Sequence, residues 1–113
     1  HAYNALGYSL VERNQRLDEA EALIRKALEL APNDPFIVDS LGWVLYRKGD
    51  LEGALVQLRS AYETRPDPEI AAHLGEVLWM LRRRDEALRT WQDAARDNPG
   101  NAVLREVIKK FKP

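Results

Sequence analysis

Proline, alanine and a leucine–glycine pair recur along this chain at nearly constant intervals, and this repetition restricts the possible folds more than any other feature. Two series of alanines and one of prolines are each separated by 34 and 33 residues, and the leucine–glycine pairs by 35 and 33. The positions are Ala20, Ala54 and Ala87; Ala27, Ala61 and Ala94; Pro32, Pro66 and Pro99; and Leu6–Gly7, Leu41–Gly42 and Leu74–Gly75. Such a period is typical of proteins that stack one small unit several times. The 113 residues therefore hold three copies of a unit.

The spacings inside each unit predict two helices. Residues three or four apart share one helix face, and a leucine follows each glycine by three positions: Leu10, Leu45 and Leu78. A large apolar residue lies between the two alanines of each unit: Ile24, Leu58 and Trp91. Glycine inside a helix costs about 1 kcal/mol relative to alanine, so three retained glycines indicate a packing requirement. We predict that helix A of each unit, which carries the glycine, packs closely against an antiparallel helix B, with Trp91 in the core.

Helix boundaries are also marked in the sequence. Pro35 and Pro68 suit the first position of a helix, and Asp34, Asp67 and Asp50 suit the capping position before one. The predicted helices span residues 2–13, 17–30, 35–48, 51–64, 68–81, 85–97 and 101–111. The first A–B turn contains one extra residue, which a surface turn tolerates at small cost.

The combination of Leu-Gly, spaced alanines and a closing proline over 34 residues resembles the tetratricopeptide repeat. The resemblance covers residues 1–100 and implies an all-α fold, an α-solenoid of three antiparallel helix-pair repeats with a C-terminal capping helix. The repeats would span residues 1–33, 34–67 and 68–100, and the capping helix residues 101–113. In this last segment Ile108 or Lys109 stands where the glycine would fall, so we expect no further B helix and an apolar face that covers the third repeat.

The resemblance also implies a function: a non-enzymatic scaffold that binds a partner protein or peptide on the concave face of its A helices. Carrying the family's groove positions across unit by unit selects seven partner-binding residues: Tyr8, Asp39, Trp43, Tyr46, Arg47, Glu76 and Trp79. Trp43 and Trp79 are the preferred contacts, whereas Phe36 is expected to pack back against the core. Two interpretations of the aromatic rings stay open, since each either contacts a partner or packs between neighbouring A helices.

Some repeats of this family hold the C-terminal carboxylate of chaperones with lysine, asparagine and arginine side chains. The positions that would carry this clamp are occupied by Asn4, Tyr8, Ser40, Glu69 and His73. These departures argue against binding of a chaperone tail.

Residues 39–46 and 67–79 resemble, more narrowly, the C-terminal repeats of long tetratricopeptide lipoproteins of proteobacteria. That resemblance implies an adaptor for a C-terminal processing protease on the periplasmic face of the outer membrane; without it, a cytoplasmic location is expected. The chain begins inside a helical pattern, so we expect a fragment with repeats upstream. The alternative function is an architectural end-cap, or a segment that self-associates into a homo-oligomer through its uncapped first helix while recognition occurs upstream.

Composition weighs against other classes of function. The chain has 17 basic and 18 acidic residues, which gives no basic footprint for nucleic acid or membrane surfaces. It has no cysteine, and the sequence shows no metal-ligand spacing or phosphate-binding loop. His73, beside Leu74–Gly75, is interpreted as a partly exposed helix residue. We therefore expect no catalytic, cofactor or metal site, and no direct contact with a membrane.

Overall fold

The computed structural model describes residues 2–111, and this part of the chain consists of α-helices joined by short turns. The helices are α1 (Ala2–Glu12), α2 (Leu17–Leu30), α3 (Pro35–Arg47), α4 (Leu51–Thr64), α5 (Pro68–Met80), α6 (Arg84–Asp97) and α7 (Ala102–Lys110). Each predicted boundary agrees to within one residue, and the all-α solenoid of three helix pairs and a capping helix is confirmed. Residues 1, 112 and 113, which belong to the predicted first repeat and capping helix, lie outside the described residues.

Aspartate side chains begin three of the helices, as predicted. The Asp34 carboxylate accepts hydrogen bonds from the backbone N–H groups of Phe36, at 2.8 Å, and Ile37, at 3.3 Å. Asp50 caps α4 through the N–H of Gly53, and Asp67 caps α5 in the same way. These bonds satisfy backbone donors that have no partner within the helix, so local signals in the sequence set where these helices begin.

Small residues allow the A helices (α1, α3 and α5) to lie directly against the B helices (α2, α4 and α6). A Cβ atom added to Gly42 would lie 2.7 Å from Cγ of Leu58, and one added to Gly7 would lie 2.7 Å from Cγ1 of Ile24. At Gly75 the indole ring of Trp91 fills the space. Trp91 is fully buried, which confirms its predicted place in the core. The repeated glycines are therefore explained by close packing of each helix pair.

The direction of curvature follows from which helices touch. Consecutive A helices contact each other, whereas no Cα atoms of α2, α4 and α6 lie within 8 Å of one another. The A helices are thus closer together than the B helices, which makes the A side concave. Helix α7 continues the A series, packing against α5 and α6 and burying Leu104 and Val107. Within residues 2–111 no helix is long and apolar enough to cross a membrane.

Candidate functional site

The concave face, formed by α1, α3, α5 and α7, contains two adjacent cavities. The C-terminal cavity, of about 580 Å³, has Trp43, His73 and Glu76 on one side and Val103 and Glu106 of α7 on the other. The N-terminal cavity, of about 340 Å³, lies between α1, α3 and the start of α5. Its lining includes Asn4, Tyr8, Phe36, Asp39 and Glu69. Together these cavities form the concave groove.

A polar cluster joins three A helices between the two cavities. His73 Nδ1 lies 2.9 Å from Asp39 Oδ1, and His73 Nε2 lies 3.5 Å from the Tyr8 hydroxyl. Side chains of the first and third helix pairs therefore meet across the second. Close by, the Tyr46 hydroxyl donates a hydrogen bond to Glu76 at 2.8 Å. The cluster fixes the relative positions of α1, α3 and α5 at the bottom of the groove.

Trp43 forms an aromatic floor beneath this cluster. Its ring stacks on His73 with centroids 4.0 Å apart and planes at 19°, and it packs against Tyr46 at 4.8 Å. Only 6% of Trp43 is exposed. Its indole nitrogen, Nε1, is buried and finds no hydrogen-bond partner within residues 2–111. A buried donor without an acceptor is uncommon in folded proteins, and this one lies in a side chain that lines the C-terminal cavity.

Ionisable groups of the groove influence one another. Burial alone lowers the pKa of His73, but the charge and hydrogen bond of Asp39 outweigh burial and raise this pKa above its ordinary value near 6.5. The charges of Glu12 and Glu76 act in the same direction. Burial raises the pKa of the Tyr8 hydroxyl, and the nearby carboxylates add to that shift. The pKa of Tyr46 is raised by burial and by its hydrogen bond to Glu76.

The structure brings most of the predicted site residues together. Tyr8, Asp39, Trp43, Tyr46 and Glu76 lie in the polar cluster or on the aromatic floor. A sixth, Arg47, is exposed at the end of α3, where its charge acts on Tyr46. The first five of these residues are connected to one another through the polar cluster and the aromatic floor.

Trp79 lies apart from this region. Its ring stacks on Trp91 with centroids 6.0 Å apart and contacts Phe111 at 5.8 Å. The guanidinium of Arg84 lies 4.9 Å from the ring centroid. Trp79 lines neither cavity.

The expectation that Phe36 packs back against the core is wrong. Phe36 is 43% exposed and lines the N-terminal cavity. The next residue, Ile37, occupies the inward position at the start of α3 and is 1% exposed. Because consecutive helix residues point about 100° apart, Phe36 is directed towards the groove.

Two features of the groove were missed from the sequence. His73, interpreted there as an ordinary helix residue, is the centre of the polar cluster, and its side chain is 15% exposed. Helix α7, assigned only as a cap, also forms one wall of the C-terminal cavity. The sequence contains a signal for each of these two features. Asp39 and His73 are 34 residues apart, one repeat period, and Asn101 begins α7 as an aspartate begins the A helices α3 and α5.

Comparison with known proteins supports the repeat organisation. A family profile described as Tetratricopeptide repeat matches residues 2–106. The chain is 49% identical over 110 residues to the TPR repeat-containing protein PA4667 of Pseudomonas aeruginosa, with 97% of this chain and 19% of that protein covered. This chain therefore spans about a fifth of that relative's length. Among solved structures, a mutant of MamA matches with a TM-score of 0.70, over 84% of this chain and 69% of that chain. At 23% identity, that match shows the fold alone.

Proposed function

Because the chain belongs to the tetratricopeptide repeat family, whose members are generally non-catalytic scaffolds, we propose that it binds an extended or helical segment of a partner protein in its concave groove. The observation that supports this most directly is the groove itself, in which four helices surround two cavities and Trp43 lines the C-terminal one. Aromatic and charged side chains placed in a concavity are the usual anchors of protein recognition.

The proposed contact residues are Tyr8, Asp39, Trp43, Tyr46 and Glu76, together with Arg47 at the end of α3. Trp79 acts indirectly in this proposal, because its ring packs against Trp91 of α6 and contacts Phe111 at the end of α7. We assign residues 1–33, 34–67 and 68–100 to the three repeats and residues 101–113 to the capping segment, whose helix α7 (Ala102–Lys110) also forms a groove wall.

The relative from Pseudomonas aeruginosa is about five times as long as this chain. Together with the resemblance to proteobacterial lipoproteins, that length supports a narrower proposal. In it, the chain is one segment of an adaptor for a periplasmic processing protease at the outer membrane.

A second candidate, an architectural or self-associating segment, is favoured by one observation on α1. Leu6 is 52% exposed, whereas its equivalents in the following repeats, Leu41 and Leu74, are 3% and 5% exposed. Leu30 of α2 is also exposed, at 73%. An apolar position that is covered in two repeats and open in the first suits the docking of another helix pair or of a second copy.

Site-specific photocrosslinking separates the two candidates. We would place p-benzoylphenylalanine at Phe36 or Val103 in the groove, at Leu6 on the open face, and at Val56 on α4 as a control that is 65% exposed. Scaffold binding predicts that, in cells producing the full-length protein, one partner band forms from Phe36 and Val103 but not from Val56. Crosslinks from Leu6 alone would contradict groove binding and favour the architectural role.

A further inference from the structure

Carboxylates from all four helices of the concave face surround the groove. Asp39 and Glu69 line the N-terminal cavity, and Glu76 and Glu106 line the C-terminal cavity. Glu12 of α1 lies close enough that its charge raises the pKa of both Tyr8 and His73. We refer to these five residues as the groove carboxylates.

Lysine and arginine side chains form no ion pairs with the groove carboxylates within the described residues. Within residues 2–111, Asp39 is paired with His73, and none of the five forms an ion pair with lysine or arginine. Glu76 accepts its hydrogen bond from a neutral tyrosine hydroxyl. Two basic side chains, His73 and Lys110, line the C-terminal cavity, and the charge of Arg47 acts on Tyr46. Since the whole chain has 17 basic and 18 acidic residues, this acidity reflects segregation of charge and not an acidic composition.

Such an arrangement favours a cationic occupant. The five groove carboxylates outnumber the two basic side chains that line the C-terminal cavity, His73 and Lys110, and a cleft with an excess of one charge and apolar walls concentrates the field of that excess inside the cleft. Like charges held together are unfavourable until a partner of opposite charge arrives, and an acidic partner would add to the repulsion.

Two buried polar atoms, both in side chains that line the cavities, have no hydrogen-bond partner within residues 2–111. Trp43 Nε1, in a side chain that is 94% buried on the cavity floor, is a donor without an acceptor. Asn4 Oδ1, in a residue that lines the N-terminal cavity, is an acceptor without a donor. A polypeptide backbone offers a carbonyl and an N–H at every residue, whereas a metal ion or a simple amine offers no acceptor.

Resting on the proposed function, we propose that the groove binds a basic peptide segment, whose lysine or arginine side chains contact the groove carboxylates while its backbone lies above Trp43. The cationic side chains determine which segment is accepted, and the aromatic floor supplies apolar contact area. Acidic segments and free C-terminal carboxylates are excluded by charge.

Three synthetic peptides test this proposal on the full 113-residue chain. They are fluorescein-labelled, about twelve residues long and identical in their apolar positions, and they carry lysine, glutamine or glutamate at the remaining positions. Fluorescence anisotropy should show the lysine peptide binding at least tenfold, to order of magnitude, more tightly than the glutamine peptide. The glutamate peptide should bind weakest, and added salt should weaken the lysine peptide.

Matched variants locate the binding. Glu69→Gln combined with Glu106→Gln should weaken the lysine peptide, whereas Glu52→Gln with Glu63→Gln, the same charge change on exposed positions of α4, should not. The indole N–H resonance of Trp43, assigned by its loss in Trp43→Phe, should shift on titration.

The outcomes distinguish this inference from the function on which it rests. Equal binding of the lysine and glutamine peptides, with the Trp43 resonance shifting, would overturn the cationic preference and leave the scaffold function standing. Equal weakening by both variant pairs would overturn binding in the groove. Binding of none of the three peptides would count against both proposals.

Discussion

Carboxylates on the two sides of this solenoid have different environments. On the B-helix side, Glu21 accepts hydrogen bonds from Arg25 and Lys48, both at 2.8 Å. Glu86 lies 2.6 Å from Arg59 of the preceding B helix. On the concave side the groove carboxylates have no lysine or arginine partner within the described part of the chain. Asp39 pairs with a histidine, and Glu76 and Glu12 have hydrogen bonds with tyrosine hydroxyls.

The difference separates charged groups that link the helix pairs from charged groups that remain available to a partner. The Lys48 pairs join α2 to the end of α3, and the Arg59–Glu86 pair joins α4 to α6, so these charges link consecutive helix pairs. The groove carboxylates form no links to lysine or arginine within the described residues; two of them, Asp39 and Glu76, join α3 to α5 through His73 and Tyr46. On the concave side, cohesion comes from the aromatic floor and the Asp39–His73 pair, and the remaining charge faces the groove.

The largest effect is expected at Trp43, because the concave floor belongs to the core although it lines the groove. Replacing a ring that is 6% exposed by a methyl group leaves a cavity, so Trp43→Ala should lower the free energy of unfolding by about 3–5 kcal/mol. Urea denaturation followed by circular dichroism measures this. Trp43→Phe keeps most of the ring and removes an N–H that has no partner, so it should cost no more than about 1.5 kcal/mol. If Trp43→Ala lowers the free energy of unfolding by less than about 1 kcal/mol, Trp43 behaves as a surface residue and not as part of the core.

The two sides should also lose stability in different pH ranges. The folded-state pKa of His73 is raised, so its contribution is fully present below the unfolded value near 6.5 and lost as pH rises through the folded value. Besides Asp39, the groups facing it are Tyr8 and Glu12 of α1 and Glu76 of α5. On the B side, hydrogen bonds from Lys48 and Arg25 lower the pKa of Glu21, so its contribution is present above about 4.5 and lost as pH falls.

Asp39→Asn tests this assignment. It should cost about 1–3 kcal/mol at pH 6 and flatten the decrease of stability above pH 6.5, while the acid-side decrease remains. Glu21→Gln should leave the decrease above pH 6.5 intact. Urea unfolding at several pH values gives both curves. An unchanged decrease above pH 6.5 in Asp39→Asn would show that the His73 pair does not cause it.

The fold could be predicted from the sequence because its determinants are local or periodic. Asp34 and Asp67 start helices through bonds to residues two or three positions away. The glycines match a large residue of the adjacent helix, as Gly42 matches Leu58. Both relations recur in the sequence, so spacing alone revealed the helix pairs and their boundaries.

The candidate site could be predicted only in part, because the groove depends on how successive helix pairs curve. Tyr8 and His73 meet although they are 65 residues apart, and no spacing rule within one repeat brings them together. Trp79 has the groove position of the family pattern, yet α7 places Phe111 beside it. Helix α7 also forms a wall of the groove, whereas the sequence pattern predicted it only as a capping helix.

The smallest expected effect compares the two sides most directly. Neutralising a carboxylate should lower the free energy of unfolding on the B-helix side and raise it on the concave side. Glu86→Gln breaks a half-exposed pair and should lower the free energy of unfolding by about 0.2–1 kcal/mol. Glu12 is the last residue of α1, where the helix dipole and the neighbouring groove carboxylates both disfavour negative charge. Glutamine can still accept the hydrogen bond that the Tyr8 hydroxyl donates to Glu12, so Glu12→Gln should raise stability by roughly 0.3–1 kcal/mol. Both stability changes should be measured at low salt and at pH 9, where His73 is neutral and does not attract Glu12. Both should become smaller in 1 M salt, because screening weakens charge interactions. If both substitutions destabilise the chain, the concave carboxylates are paired in solution as those of the B side are, and the groove is not held open for a cationic partner.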